Sequence, residues 1–526
     1  MKGDFATLAD LALINGNILT INSSNPRAEA IAVKADKIIK VGTNQEILKL
    51  TGKKTQIIEL NRRTVIPGFI DTHIHVADFG KLLTWIDFTN TRSITEMQQI
   101  LSSRVKENLK GKWILGRCFN NTAFVEKRLP TRFDLDLVAP NNPVVFYHNC
   151  GQLCVVNSKA LEFAGITKQT VPTSGGTIDK DPETGELTGV LRENATNLIW
   201  SVIPELNEDE LAEAVSLACE KIVEVGVTTV HWIVLSPMEI SIIQKLFAQN
   251  RLPFRVYIIV PVDLIGSVEV FGLYDPSVVR FGGAVIYTDG YLAARTAALL
   301  QPYSDSPASR GGLLCTQEEM NASALRSFGA GLQLVIHAMG DKAVDAALTT
   351  IEQISKQTTG RAVRNRIEQA ALLNEGLIER MKNQKVIVSV QPNVIASEFS
   401  VWFAAEHLGF ERAGWLFPLK TLISKGIKVI GGSDCPMEPL NPMLGIQAAL
   451  TREPFPEERI TIDEALRIYT IDAAYSSSEE HIKGSIEEGK LADLAVISRD
   501  PNEVPPCHIK NIKVEMTIVG GKIVYP

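Results

Sequence analysis

The sequence predicts an α/β protein: a parallel (β/α)8 barrel carrying a small β domain assembled from both termini. Three observations carry that expectation. Eight short apolar segments between residues 63 and 434 each run into a loop or a helix-like stretch, over the span such a barrel with insertions requires. The first 60 and last 40 residues instead alternate apolar and polar side chains between tight turns, the pattern of short paired strands. Histidines and an aspartate stand at the ends of several of the eight segments, where barrel active sites gather.

At the N-terminus, ADLALINGNILT alternates and turns at Asn15-Gly16; AEAIAVKADKIIKVG turns at Ala35-Asp36 and stops at Gly42. At the other end GKLADLAVI (489–497) and VEMTIVGGKIVYP read the same way. Residues 1–63 and 484–526 are therefore expected to form one composite β-sandwich, and 64–483 the barrel. Its strand candidates are RTVIPGFID, GVTTVHW, FRVYIIV, GGAVIYTD, LQLVIHA, RNRIEQ, KVIVSVQ and IKVIGGSD. Helix starts are marked by capping boxes at Ser93–Glu96, Asn207–Glu210, Thr316–Glu319 and Thr461–Glu464. A large insertion, about 80–205, follows the first strand; its PTSGGTIDKDPETGELTG reads as hairpin turns or a mobile cover.

The composition is that of an ordinary globular chain, with 45% apolar and 21% charged residues among 526. With 53 basic and 60 acidic side chains the net charge is −7, which offers no footprint for nucleic acid or anionic lipid. Seven cysteines without a CxxC pair argue against a disulfide framework. No run approaches 18 apolar residues, and the acidic N-terminus lacks a leader's apolar core. The expectation is a cytoplasmic protein acting on a small molecule, with a homodimer as an allowed assembly.

The strongest chemical signal is VIPGFIDTHIHV. His73 and His75, two apart on a strand, present their imidazoles to one face and can share a cation. His337 in LQLVIHAMGDKA taken alone reads as a satisfied core residue, and Asp434 in IKVIGGSDCPM as a metal ligand or a helix cap. Together, three histidines and one aspartate at strand ends of one barrel make a site for a divalent, zinc-like ion.

These segments bear a wider likeness. PGFIDTHIH, HAMGDKAV, RIE and GGSDCPMEPLNP, with WILGRCF, LCVVNSKALEFAGI, GVLRENA and DGYLAARTAAL, resemble the amidohydrolase superfamily. Within it they match amidohydrolase family 3, the branch that includes N-substituted formamide deformylase. The resemblance implies a distorted (β/α)8 (TIM) barrel with metal at its C-terminal mouth. It also exposes departures. Val285 stands where the branch carries a bridging lysine, Asn365 and Gln369 where its sixth strand carries two histidines, and Gln152 where its Gly-His lies. What survives, His73, His75, His337 and Asp434, matches the four-ligand set of single-metal members such as cytosine and adenosine deaminases. Those carry a glutamate three residues after the fifth-strand histidine; here Gly340 stands there, so the deaminase acid is missing.

The implied chemistry is hydrolysis of a C–N bond in a non-peptide amide, formamide or cyclic amide by water on one divalent ion. Asp434 would be ligand and base, and Gln369 an amide donor to the developing oxyanion. Asp289 and His231 at strand ends and Trp85 in the insertion are candidate substrate contacts, each with an ordinary structural reading beside it. A lyase, hydratase or isomerase on the same barrel, or a catalytically weakened binding protein, are the alternatives.

Overall fold

The structure, a computed structural model, describes residues 8–172, 174–268, 275–357, 364–400 and 403–526. Residues 1–7, part of the N-terminus read above, lie outside them. All eight barrel segments form strands: Phe69–Ile74, Val227–Ile233, Arg255–Pro261, Val279–Tyr287, Gln333–Ala338, Arg366–Gln369, Ile387–Val390 and Val429–Gly431. They make one sheet in chain order with every neighbouring pair parallel. The seam is bridged just past the last strand, where Asp434 N–H donates to the His73 carbonyl at 2.7 Å and His75 N–H to that of Cys435 at 3.0 Å. All eight strands are mostly buried and most are rich in apolar residues, as a parallel sheet covered on its outer face requires, while Arg366–Gln369, RIEQ, is the polar exception.

RTVIPGFID divides into two strands. Thr64–Pro67 pairs antiparallel with Leu494–Ile497, and the barrel begins only at Phe69. Gly68 is the joint. A side chain there would meet Thr228 at 2.2 Å, so only glycine lets the chain pass from one sheet to the other. Thr64–Pro67 thus joins Asn17–Leu19, Arg27–Ala28, Leu494–Ile497, Val514–Val519 and Lys522–Tyr525 in a six-stranded sheet built from both termini. A four-stranded sheet of Leu11–Ile14, Ala30–Lys34, Lys37–Gly42 and Gln56–Glu59 accompanies it. Leu11, Leu13, Ile31 and Val33 of the second sheet pack with Ile18, Leu494, Val496 and Ile518 of the first in a common apolar core.

Residues 80–214 form a compact unit of their own around a six-stranded sheet. Phe88, Phe119, Phe124 and Phe146 lie fully buried in its core. The Pro/Gly/Asp-rich stretch is a hairpin, Gly176–Lys180 with Leu187–Glu193, its turn closed by Asp181. The boxes at Thr316–Glu319 and Thr461–Glu464 form in full, and Asn207 and Glu210 cap one another reciprocally. Ser93 caps Glu96 N–H, while the Glu96 carboxylate turns to Arg92 N–H instead. None of the seven cysteines is in a disulfide. Among the described residues no helix is long and apolar enough to cross a membrane.

Candidate metal centre

The first strand carries Asp71, His73 and, just past its end, His75 to the mouth of the barrel, with an irregularity in its pairing between Asp71 and Ile74. The last strand, Val429–Gly431, runs beside it so closely that a side chain at Gly432 would lie 2.6 Å from His73 N. Asp71 stitches the two together, its Oδ1 accepting from Ser433 N–H at 2.9 Å and His73 N–H at 3.2 Å. Held this way, Asp434 sits at φ +58°, a left-handed conformation that costs a non-glycine residue about 1–2 kcal/mol. Such strain persists where the surroundings over-determine it, and it is characteristic of functional sites.

The result is a convergent donor set. His73 Nε2 and His75 Nε2 lie 3.4 and 3.5 Å from the same Asp434 oxygen. Tetrahedral bonds of about 2.0–2.1 Å separate ligand atoms by about 3.4 Å, so the spacing fits one small cation. Donor atoms of His73, His75 and Asp434 all fall within 4.8 Å of one another, and His337 stands outside that group. Both His337 ring nitrogens are buried without a hydrogen-bond partner. Burial pushes its imidazole down to about 4, with His73 adding to the effect, so it is neutral and its lone pair is free. An orphaned neutral imidazole beside a convergent His-His-Asp set fits a divalent ion.

Behind His73 lies a buried network that the sequence reading did not single out. His73 Nδ1 faces Glu368 Oε2 at 2.6 Å, and Glu368 Oε1 is paired with Arg366 at 2.6 Å. Arg366 also donates to the Thr72 carbonyl at 2.9 Å and to His231 Nδ1 at 2.8 Å. Glu368 anchors Nδ1–H and turns Nε2 toward Asp434, the carboxylate–histidine arrangement that orients metal ligands. Burial works against both charges. Even so, Arg366 and His73 hold Glu368 down at about 2, and Asp434 and Glu368 hold His73 up at about 10. Burial likewise opposes the Asp434 charge, but His73 and His75 hold its carboxyl well below the usual range. The available signal was RNRIEQ: charges at alternate positions of a buried strand need a polar interior to face.

The remaining candidates fall in different places. Gln369, at φ +67°, breaks from its strand and donates Nε2–H to Asp434 Oδ2 at 3.0 Å, leaving Oε1 buried and unpaired. One amide N–H expected for an oxyanion is therefore spent on the aspartate, because a carboxylate only accepts. His231 is not at a strand end but within the second strand, neutral through burial, its Nδ1 engaged by Arg366. Asp289 takes the ordinary structural reading: its carboxylate accepts backbone N–H groups of Ala298, Met339 and Gly340, each at 2.8 Å, and so organises the loop after the fourth strand, with Oδ1 4.0 Å from His337 Nδ1. Trp85 lies in the 80–214 unit, stacked on Tyr147 at 5.7 Å and tilted against Trp200. Gly340 has no room for the deaminase acid: a side chain there would sit 2.0 Å from the Ala298 carbonyl oxygen. Val285 packs in the barrel with Ile233, Tyr257, Ile259 and Val335. Tyr287 and Tyr291, absent from the sequence reading, flank the His337 ring at 5.5 and 6.0 Å.

A parallel eight-stranded barrel with a His-His-Asp set at the exits of its first and last strands can hold a metal ion at its C-terminal mouth, as a metal-dependent enzyme requires. The comparisons agree. The amidohydrolase family model matches residues 56–525, and the chain belongs to that family. YtcJ of Bacillus subtilis is 31% identical over 97% of this chain and 98% of its own. N-substituted formamide deformylase of Arthrobacter pascens is 29% identical over 98% of both. The crystal structure of an uncharacterised metal-dependent hydrolase from Pyrococcus furiosus, 30% identical, superposes with a TM-score of 0.78 over 93% of this chain and 99% of that one. The protein is thus a hydrolase acting on carbon–nitrogen bonds, with a site suited to a divalent metal.

Proposed function

We propose that the protein hydrolyses the C–N bond of a non-peptide amide, with formamides first among the substrates, using one zinc ion held by His73, His75, Asp434 and His337. The observation that carries this reading is the pair of near-tetrahedral separations, 3.4 and 3.5 Å, from two imidazole nitrogens to one Asp434 oxygen. The formamide is favoured by the likeness to the Arthrobacter enzyme across nearly the whole chain.

A divalent ion bound there would supply Lewis acidity, polarising a carbonyl and making a water acidic enough to react near neutral pH. With an ion in place of the Nε2 proton, Glu368 would keep the remaining proton on Nδ1 of His73 and so aim the Nε2 lone pair. Gln369 grips Asp434 Oδ2 and holds the carboxylate to one orientation. Asp434, ionised and buried, is the base that takes a proton from water and returns it to the departing nitrogen. His337, neutral, completes the donor set.

The test is amine release from a panel of N-substituted formamides by zinc-loaded and chelator-treated protein. Asp434→Asn should then lower turnover per bound zinc by at least about 100-fold, the scale of a lost general base. Equal turnover per zinc in the variant would leave Asp434 as a ligand only. No metal-dependent release from any formamide or other amide would defeat the reading.

A further inference from the structure

We infer that Gln391 is the residue that orients the substrate, and that the group it takes is a planar amide or ureide bearing its own N–H. This rests on the hydrolase reading above and narrows the class of amide. Gln391 follows the seventh strand, Ile387–Val390, directly. Two residues earlier, Ser389 directs its hydroxyl at Arg366 Nη2 and Thr72 Oγ1, both at 3.5 Å, so this face of the strand looks into the barrel. Alternation puts Gln391 on the same face, one step nearer the C-terminal mouth. The Val390 carbonyl accepts from Gly432 N–H at 3.0 Å, which ties this exit to the segment carrying Asp434.

Gln391 is completely buried, yet neither Oε1 nor Nε2 has a hydrogen-bond partner. A primary amide offers two donors and an acceptor with two lone pairs, and burying them all unused is a cost that a leucine of similar size would avoid. Next door, the sixth strand runs parallel with Glu368 opposite Ser389, and at its end Gln369 Oε1 is likewise buried and bare. Two strand exits thus present two unused acceptors and one unused amide NH2. The complement is a group with an N–H and a C=O in one plane. Tertiary amides and esters have no N–H to give, and a charged group would find no counter-charge on either glutamine.

The experiment compares parent, Gln391→Leu and Gln391→Met, all zinc-loaded, with N-butylformamide and its N-methyl derivative, N-butyl-N-methylformamide. Hydrolysis kinetics, calorimetric binding, zinc content and melting temperature are read together. The expected result is a KM and a dissociation constant for N-butylformamide about tenfold higher in both variants, the scale of one lost hydrogen bond. Preference over the N-methyl compound should collapse by a similar factor, while zinc content holds and the melting temperature is equal or higher. If the parent hydrolyses neither compound but binds N-butylformamide selectively and the variants lose that selectivity, the inference stands and the formamide reading falls. If the parent hydrolyses both alike, or the variants keep its KM and selectivity, the inference is overturned and the hydrolase reading survives. A fall in melting temperature in both variants would assign the Gln391 amide to buried structure and also overturn it.

Discussion

Glu368→Gln probes the network that aims His73. The carboxylate serves two partners at once, His73 Nδ1 at 2.6 Å through Oε2 and Arg366 at 2.6 Å through Oε1. A glutamine has one oxygen, so it must fail one partner and turn an NH2 toward another donor. Arg366 is fully buried, and removing the anion beside a buried cation costs about 3–5 kcal/mol. Loss of a carboxylate that orients a ligating histidine weakens metal binding about 10–100-fold, or about 1.4–2.7 kcal/mol. Urea unfolding of metal-free and zinc-buffered protein separates the two effects, because bound metal adds stability in proportion to the logarithm of its affinity. The metal-free variant should unfold earlier by the first amount. The increment that zinc adds should shrink by the second at the same free zinc. A variant that loses stability but keeps zinc affinity within about twofold would refute the role assigned to Glu368.

Two further outcomes follow from the geometry. Gly432→Ala places a carbon 2.6 Å from His73 N, so the first and last strands must part; zinc affinity should fall at least about tenfold and stability by about 1–3 kcal/mol, measured in the same titrations. Glu398 is buried beside Glu438, and burial first, then that neighbour, raises its carboxyl from 4.5 to about 7. The fold thus favours its neutral form: the contribution is full below about pH 4.5 and is lost as pH rises through about 7. Glu398→Gln, permanently neutral, should match the parent near pH 4.5 and exceed it at pH 8 by on the order of 1–3 kcal/mol. Parallel stability profiles across that range would contradict the assignment.

The barrel was legible because buried parallel strands carry apolar runs, which FRVYIIV, LQLVIHA, KVIVSVQ and IKVIGG show plainly, while RNRIEQ with its alternating charges is the exception. The division of RTVIPGFID was not, since both halves are apolar and only the Thr228 side chain, 160 positions away, reveals why Gly68 is a joint. His73, His75 and Asp434 were readable from H-x-H on a strand and an acid past a Gly-Gly. Partnerships were not. Asp289 before a glycine looks the same whether it meets a substrate or three backbone N–H groups, and the choice depends on loops 9 and 50 residues away. Glu368 and Arg366 were visible as letters, but their partners Thr72 and His231 come from two other strands. Gln369 was placed at the centre, yet its orientation follows from Asp434 being able only to accept.

Whether one ion sits at the barrel mouth is decided by a zinc-edge anomalous map from crystals of the zinc-replete protein. A single peak per chain is expected, bounded by Nε2 of His73, Nε2 of His75 and the Asp434 carboxylate, with a His337 nitrogen as the fourth ligand. Two peaks, or one peak away from these residues, would contradict the one-zinc site.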